Sequence, residues 1–258
     1  MTSNLKTLAC YAFTCLAAGG ALAQAKPDGQ WRGNGGAALA LNSGNTTSTN
    51  LQLNAAAAKA TAEDKITLGS VINYAKSKVN GADVTTAEKW AATGQYDFNL
   101  SPRTYAFGKL GLEGDKLTAL SLRTGVSGGL GFKVINTDAT TFDLLGGVGY
   151  TTDKYSAPRT IGGKTDTRFA RASLYLAETS THKLSSTVSF TQRLDLYPGL
   201  SGDKAMAARF SAGLAVAMSS TLNLTVSLTD QYNSKPPSGV KKNDIGFFTG
   251  VNVKFGAL

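Results

Sequence analysis

The chain carries few of the side chains that enzymes and metal sites use. Its only histidine is His182, and its two cysteines, Cys10 and Cys15, lie near the amino terminus. A transition-metal site of histidine and cysteine ligands is therefore not expected. A Ser-His hydrolase is the enzymatic alternative, and it depends on where the fold places His182. We predict no catalytic residues, no metal site, no cofactor and no enzymatic activity.

Charged residues are the feature with the most chemical content. The 258 residues carry 26 Lys and Arg against 17 Asp and Glu. No run of five or more Lys or Arg occurs, so we expect no nucleic-acid partner. Many of the charges instead fall on one face of segments whose other face is apolar. Ten of them are predicted to line a lumen: Arg32, Lys89, Asp97, Lys109, Glu113, Arg123, Asp143, Arg171, Arg193 and Arg209. Lys65, Lys133, Lys254, Asp153, Asp195 and Asp244 share that face.

The elements that position these charges are β-strands with alternating side chains. In the clearest segment, Trp90, Tyr96 and Phe98 share one face, while Lys89 and Asp97 lie on the other. Twelve such segments are predicted: 30–42, 47–60, 65–77, 86–100, 104–115, 120–134, 141–154, 167–178, 186–197, 204–217, 221–233 and 243–255. In the fifth, Tyr105 and Phe107 fall on the face opposite the leucines that follow, which predicts a bulge or a register change.

Two patterns favour a transmembrane antiparallel up-and-down β-barrel of the bacterial outer membrane over a water-soluble β-sandwich. We predict that the apolar face of the twelve segments carries no Lys, Arg, Asp or Glu before Asp230, because charge on a lipid-facing wall is costly. Connections at one end are predicted to be short, and those at the other mostly longer, notably 78–85 and 155–166. His182 is placed in the short turn 179–185, off the lipid-facing wall that a barrel hydrolase would use.

The amino-terminal segment has the features of an export signal. Lys6 precedes an apolar run at residues 8–18, and Ala21-Leu22-Ala23 fits a small-x-small cleavage site. We predict a signal peptide over residues 1–23 and a single barrel domain over 24–258. Removing Lys6 leaves 25 basic and 17 acidic residues, a net charge of 25 minus 17, or +8.

Several short motifs resemble one bacterial family. They are Leu41-Asn42-Ser43-Gly44-Asn45-Thr46, Tyr74-Ala75-Lys76-Ser77, Ser101-Pro102-Arg103-Thr104-Tyr105-Ala106-Phe107-Gly108, His182-Lys183-Leu184-Ser185 and the segment from Pro236 to Asp244. In order and spacing they resemble the salt-induced outer-membrane proteins, a YdiY-like family also called domain of unknown function family 481. The resemblance spans essentially the whole exported chain. It implies an outer-membrane location and a barrel, and it offers no catalytic residues to carry over.

The function expected from this pattern is a narrow channel for ions or small solutes, including anionic ones, linked to salt or osmotic stress. The excess of cations on the lumen face favours anions where water fills the interior. The alternative is an interior closed by pairing of these charges, in a structural or partner-binding protein that acts through its loops. Expected partners are outer-membrane lipid and lipopolysaccharide, the barrel-assembly machinery during biogenesis, and small solutes. The sequence predicts no oligomeric state.

Overall fold

A computed structural model describes residues 26–42, 48–79, 82–236 and 241–256. The predicted signal peptide, residues 1–23, lies outside the described residues. Twelve antiparallel strands form a closed sheet, in which each strand pairs with its neighbours in sequence and the first pairs with the last. The strands are β1 Trp31–Asn42, β2 Ser48–Ala60, β3 Asp64–Val79, β4 Ala82–Asn99, β5 Thr104–Asp115, β6 Leu120–Asn136, β7 Thr140–Ile161, β8 Lys164–Lys183, β9 Val188–Pro198, β10 Met206–Ala217, β11 Leu222–Asn233 and β12 Asn243–Gly256. No helix within the described ranges is long and apolar enough to cross a membrane.

Alternation along the strands produces two different walls. Large apolar side chains such as Leu68, Ile72 and Val148 point outward and are exposed, at 45%, 54% and 62%. Inward positions hold polar and charged residues, many of them buried. This is the reverse of a water-soluble β-sandwich, which hides its apolar face, and it is the arrangement of a barrel surrounded by lipid. The predicted all-β, twelve-strand barrel is therefore confirmed.

The two ends of the barrel differ in their connections. The end at which β1 begins and β12 ends, called here the turn end, has connections of three or four residues: 61–63, 100–103, 137–139, 184–187 and 218–221. The opposite end is called the loop end. There, residues 199–205 join β9 to β10, and of the connection between β11 and β12 the structure describes residues 234–236 and 241–242.

Two long loops were predicted for the loop end at positions where the structure has none, so these two predictions are wrong. In place of 155–166, β7 and β8 continue as a hairpin that closes over Gly162 and Gly163, both with positive φ. Glycine adopts this conformation without strain, so a two-residue turn can join the strands here. In place of 78–85, only residues 80–81 lie between β3 and β4.

The predicted irregularity at the start of β5 is also wrong. Tyr105 and Phe107 pair in unbroken register with β4 and β6 and point inward. The register of β5 shifts instead between Glu113 and Asp115. The apolar character of Tyr105 and Phe107 reflects an aromatic cluster inside the barrel, which a rule placing apolar residues outside cannot anticipate.

The outer wall carries more charge than the sequence pattern predicted. Lys76, Glu88, Lys154 and Arg168 lie on outward positions near the loop end, where long side chains reach the polar interface. Glu178 lies on the outer wall at a greater distance from the loop end, and its Oε1 accepts a 2.6 Å hydrogen bond from the Gln192 side chain. The prediction of a charge-free face before Asp230 is therefore wrong. Exposed aromatic residues mark both ends: Tyr74, Trp90 and Tyr150 near the loop end, and Phe98, Phe132 and Phe255 near the turn end.

Candidate functional site: the barrel lumen

Aromatic side chains from three strands meet inside the barrel. Tyr175 of β8 is fully buried, with its ring 5.5 Å from that of Phe107 and 5.2 Å from that of Tyr197. Tyr105, Leu145 and Ala177 complete this aromatic cluster. Gly131 makes room for Tyr105, since a Cβ at Gly131 would collide with the tyrosine ring. Side chains therefore fill part of the lumen.

A buried ionic network lies against the aromatic cluster. Arg193 donates to both oxygens of Asp195 at 2.8 and 2.9 Å, and Lys109 donates to Asp195 Oδ1 at 2.9 Å. The Tyr175 hydroxyl donates to the same oxygen at 2.5 Å and accepts from Arg193 at 2.7 Å. Because each charge has hydrogen-bonded partners, burial of the network is tolerated.

A second network lies nearer the loop end. Arg123 binds Asp153 through two hydrogen bonds of 2.6 and 2.7 Å, and Arg171 lies 3.8 Å from the same carboxylate. Arg123 and Arg209 both contact Glu113, at 3.5 and 3.2 Å. The fork-like bond to Asp153 fixes the Arg123 guanidinium in one orientation.

Some of these ion pairs cross the lumen. Arg209 and Glu113 belong to β10 and β5, which are five steps apart in a ring where opposite strands are six apart. Lys109 of β5 reaches Asp195 of β9, four steps away. Lys89 of β4 lies 3.7 Å from Asp244 of β12, also four steps away. The three contacts are called here the cross-lumen pairs, and they narrow the interior.

The opposite wall is formed by β11, β12, β1, β2 and β3. Its inward charges, Arg32, Lys65, Asp244 and Lys254, lie near the strand ends, and short neutral side chains occupy the positions between them. Asn54 donates to Asn252 at 3.0 Å, and Asn252 donates to Thr225 at 2.8 Å. Gln52 and Asn73 are buried at 4% and 3% exposure. We call this surface the amide wall. Its short side chains are buried although they face the interior, so no wide water-filled path runs along its described residues.

A cavity of about 700 Å³ occupies the turn end of the lumen. It extends from the turns 61–63 and 100–103 to the side chains of Lys109, Arg193 and Arg209. The Lys109–Asp195 pair and the Arg209 side chain therefore form its inner boundary. A second cavity, of about 790 Å³, lies at the loop end beside the β7–β8 hairpin.

All ten residues predicted to line a lumen occupy inward positions, although pairing differs among them. Arg32 lies at the turn end and binds Asp28 at 2.6 Å. Its guanidinium, by donating to this carboxylate, holds the pKa of Asp28 well below its usual range. Asp97 accepts from Gln95 at 2.7 Å, and Asp143 accepts from Tyr105 at 3.1 Å. That they line a conducting path stays a prediction.

Sequence reasoning missed three parts of the lumen. Asp115 is buried at 2% exposure and lies 3.9 Å from Lys89, but it ends its strand and was not assigned a role. The aromatic cluster was missed because its apolar side chains face inward. The amide wall was missed because asparagine and threonine are equally common in turns. Strict alternation from Lys109 back to Tyr105 was the signal that could have revealed the cluster.

His182 does not lie in the predicted turn. It belongs to β8, pairs with Thr140 and Phe190, and stacks on the Phe190 ring at 6.2 Å. By alternation it faces outward, and its Nδ1 lies 3.4 Å from the Thr140 hydroxyl. The strand continues because β8 and β9 pair as far as Lys183. The position of His182 thus no longer argues against a hydrolase, although its polar neighbour here is a threonine.

Comparison with known proteins identifies a family and a fold. The model of the family described as "Protein of unknown function, DUF481" matches residues 35–255. No curated protein sequence matches the chain. An outer-membrane channel from Pseudomonas putida F1 has a TM-score of 0.50 at 11% identity, covering 96% of this chain and 100% of that chain.

Two porin structures are more distant. The NanC porin has a TM-score of 0.47 at 10% identity, over 89% of this chain and 100% of that chain. A KdgM porin in complex with disordered oligogalacturonate has a TM-score of 0.46 at 11% identity, over 86% and 99%. The fold is that of an outer-membrane β-barrel, and because the family model covers residues 35–255, the chain belongs to the DUF481 family, as the sequence motifs predicted.

Proposed function

We propose that the protein is a narrow outer-membrane channel for ions or small solutes, with the cross-lumen pairs as its constriction. The observation that carries this proposal is the turn-end cavity of about 700 Å³, which ends at Lys109, Arg193 and Arg209. Solutes entering from the turn end would meet charged groups before they reach the narrowest part. Rearrangement of the pairs would then open the remaining path.

The charge of the lumen supports a modest preference for anions. The ten cations assigned to the inward face from the sequence are joined by Lys183 at the end of β8, which makes eleven, against the six assigned anions and Asp115, or seven in all. Arg32 is neutralised locally by Asp28, which reduces the excess from four to three. A small net positive charge in a narrow pore favours anion entry, although most of these charges are paired.

The test is a planar-bilayer recording of the refolded chain under a salt gradient. Discrete current steps with a reversal potential on the anion side are expected. Replacing Arg123, Arg171 and Arg209 together by Gln should shift the reversal potential toward the cation side. The matched control is Lys116→Gln, which removes an exposed charge at the loop end and should leave the potential unchanged. An unchanged potential in the triple variant would contradict the charge assignment.

A second function is favoured by the same contacts. Cross-lumen pairs and a fully buried Tyr175 are also what a non-conducting barrel would contain. Such a protein would act through its loops on a partner, or stabilise the envelope under osmotic or salt stress. It predicts a silent bilayer, together with a phenotype when the 234–242 connection is shortened and none when lumen charges are replaced.

Location and lipid partners belong to the same proposal. We infer export with cleavage after Ala23, insertion by the barrel-assembly machinery and residence in the outer membrane; mass spectrometry of the exported chain should find Gln24 as its first residue.

Lys154 and Arg168 face each other across β7 and β8 on the outer wall at the loop end. Like charges at this spacing are unfavourable unless an anion lies between them, which suits a lipopolysaccharide phosphate. Replacing both by Gln should weaken lipopolysaccharide binding.

A further inference from the structure

The turn-end cavity contains four charges that form no close ion pair with one another. Lys65 and Asp97 are register partners on β3 and β4, and Lys133 and Asp143 are register partners on β6 and β7. All four line the cavity. Opposite charges directly across two strands usually form an ion pair. Yet among the described residues, none of these four has an oppositely charged partner within 4.0 Å.

Neutral groups hold three of the four charges in place. Gln95 donates to Asp97 at 2.7 Å, Lys133 donates to Asn99 at 2.9 Å, and Tyr105 donates to Asp143 at 3.1 Å. A carboxylate can accept several hydrogen bonds and an ammonium group can donate three, so each retains capacity for a ligand. The deeper network around Asp195 differs, because its cations and carboxylate bind each other directly.

The four charges form one cluster. Both lysines lie within electrostatic range of both carboxylates. Tyr105 stands between the two Lys-Asp couples on β5, and the Lys133 ammonium lies 5.6 Å from the centre of its ring. Leu145 adds an apolar surface to the same cavity. The cavity thus offers two cations, two anions and an apolar wall to one small molecule.

We propose that this cluster binds small zwitterions, molecules that carry a primary ammonium and a carboxylate on a short carbon chain. The carboxylate would bind Lys65 or Lys133, the ammonium would bind Asp97 or Asp143, and the chain would lie against Tyr105. A simple anion engages only half of the cluster and leaves the carboxylates without a partner. The inference rests on the proposed function only in naming the solute class, since binding can be measured without current.

The experiment measures equilibrium binding of labelled γ-aminobutyrate to the refolded exported chain in detergent micelles. Butyrate and butylamine serve as single-charge probes of the same chain length. The zwitterion should bind about tenfold more tightly than either, because loss of one charge-assisted contact costs roughly a factor of ten. Asp143→Asn and Lys133→Gln should each weaken zwitterion binding about tenfold. Lys116→Gln, far from the cavity, is the matched control.

Folding of each variant is checked by the heat-dependent gel shift of a closed barrel. Equal binding of butyrate and γ-aminobutyrate, with no effect of Asp143→Asn, would overturn the inference in favour of an anion site. Absence of saturable γ-aminobutyrate binding by the folded wild-type chain would also overturn it. Bilayer recording separates the two proposals. Binding of γ-aminobutyrate without any current would contradict only the channel, whereas current without such binding would contradict only the zwitterion site.

Discussion

The two walls of the lumen fill space in different ways. The wall from β4 to β10 carries long charged and aromatic side chains, and some of them cross the barrel to bind one another. The amide wall carries short neutral side chains, which hydrogen-bond to their neighbours, as Asn252 does to Thr225. The charged wall therefore sets the width and most of the charge of the interior, while the middle of the amide wall lines it without charge.

The largest expected effect concerns the buried network of the charged wall. Asp195→Asn removes the carboxylate that balances Arg193 and Lys109, and leaves two buried cations without their counter-charge. The free energy of unfolding should fall by about 3–5 kcal/mol. Urea unfolding in lipid vesicles measures it. Lys116→Ala, which breaks only an exposed ion pair with Glu88, should cost under about 1 kcal/mol. Equal losses in the two variants would contradict the account.

A smaller loss is expected when only a hydroxyl is removed from the same network. Tyr175→Phe keeps the ring against Phe107 and Tyr197 but deletes the hydrogen bonds of the hydroxyl with Asp195, Arg193 and Lys109. Because Arg193 and Lys109 keep their own bonds to Asp195, we expect the net loss of stability to equal that of one hydrogen bond to a charged group, about 1.5–3 kcal/mol. Tyr197→Phe is the control, because the Tyr197 hydroxyl makes no such contact among the described residues. A neutral Tyr175→Phe variant would mean that the ring alone matters.

The amide wall should respond least. Asn252→Ala deletes two neutral hydrogen bonds, from Asn54 and to Thr225, and should cost about 1 kcal/mol by the same unfolding measurement. Because no charge is lost, the reversal potential of any current should stay the same. A shift in ion selectivity on this substitution would break the division between the two walls.

Much of the barrel could be predicted from the sequence, because alternation marks each strand directly. The closed twelve-strand order and the inward placement of residues such as Arg193 and Asp97 followed from it. The ends of β7 and β8 could not be predicted, since Gly162-Gly163 reads as a loop until both residues are seen in a hairpin turn. The rule that apolar side chains point outward also failed for Tyr105, because this residue packs inside the barrel against side chains of other strands.

The ion pairs between side chains of distant strands could not be predicted from the sequence, for a geometric reason. Glu113 and Arg209 are 96 residues apart in the chain, and their contact depends on barrel curvature and side-chain reach. The pattern of either strand alone gives only the inward direction. The same limit hid the contrast between the paired charges around Asp195 and the unengaged charges of the turn-end cavity.

The most direct test of the constriction is single-channel conductance of the Glu113→Ala, Arg209→Ala double variant beside the wild-type chain. Removing both partners avoids leaving either charge alone and deletes a contact that spans five strand steps. We predict a larger conductance in the double variant and an unchanged conductance in Lys116→Gln. Equal conductance in the double variant and the wild type would contradict the claim that the cross-lumen pairs set the width of the path.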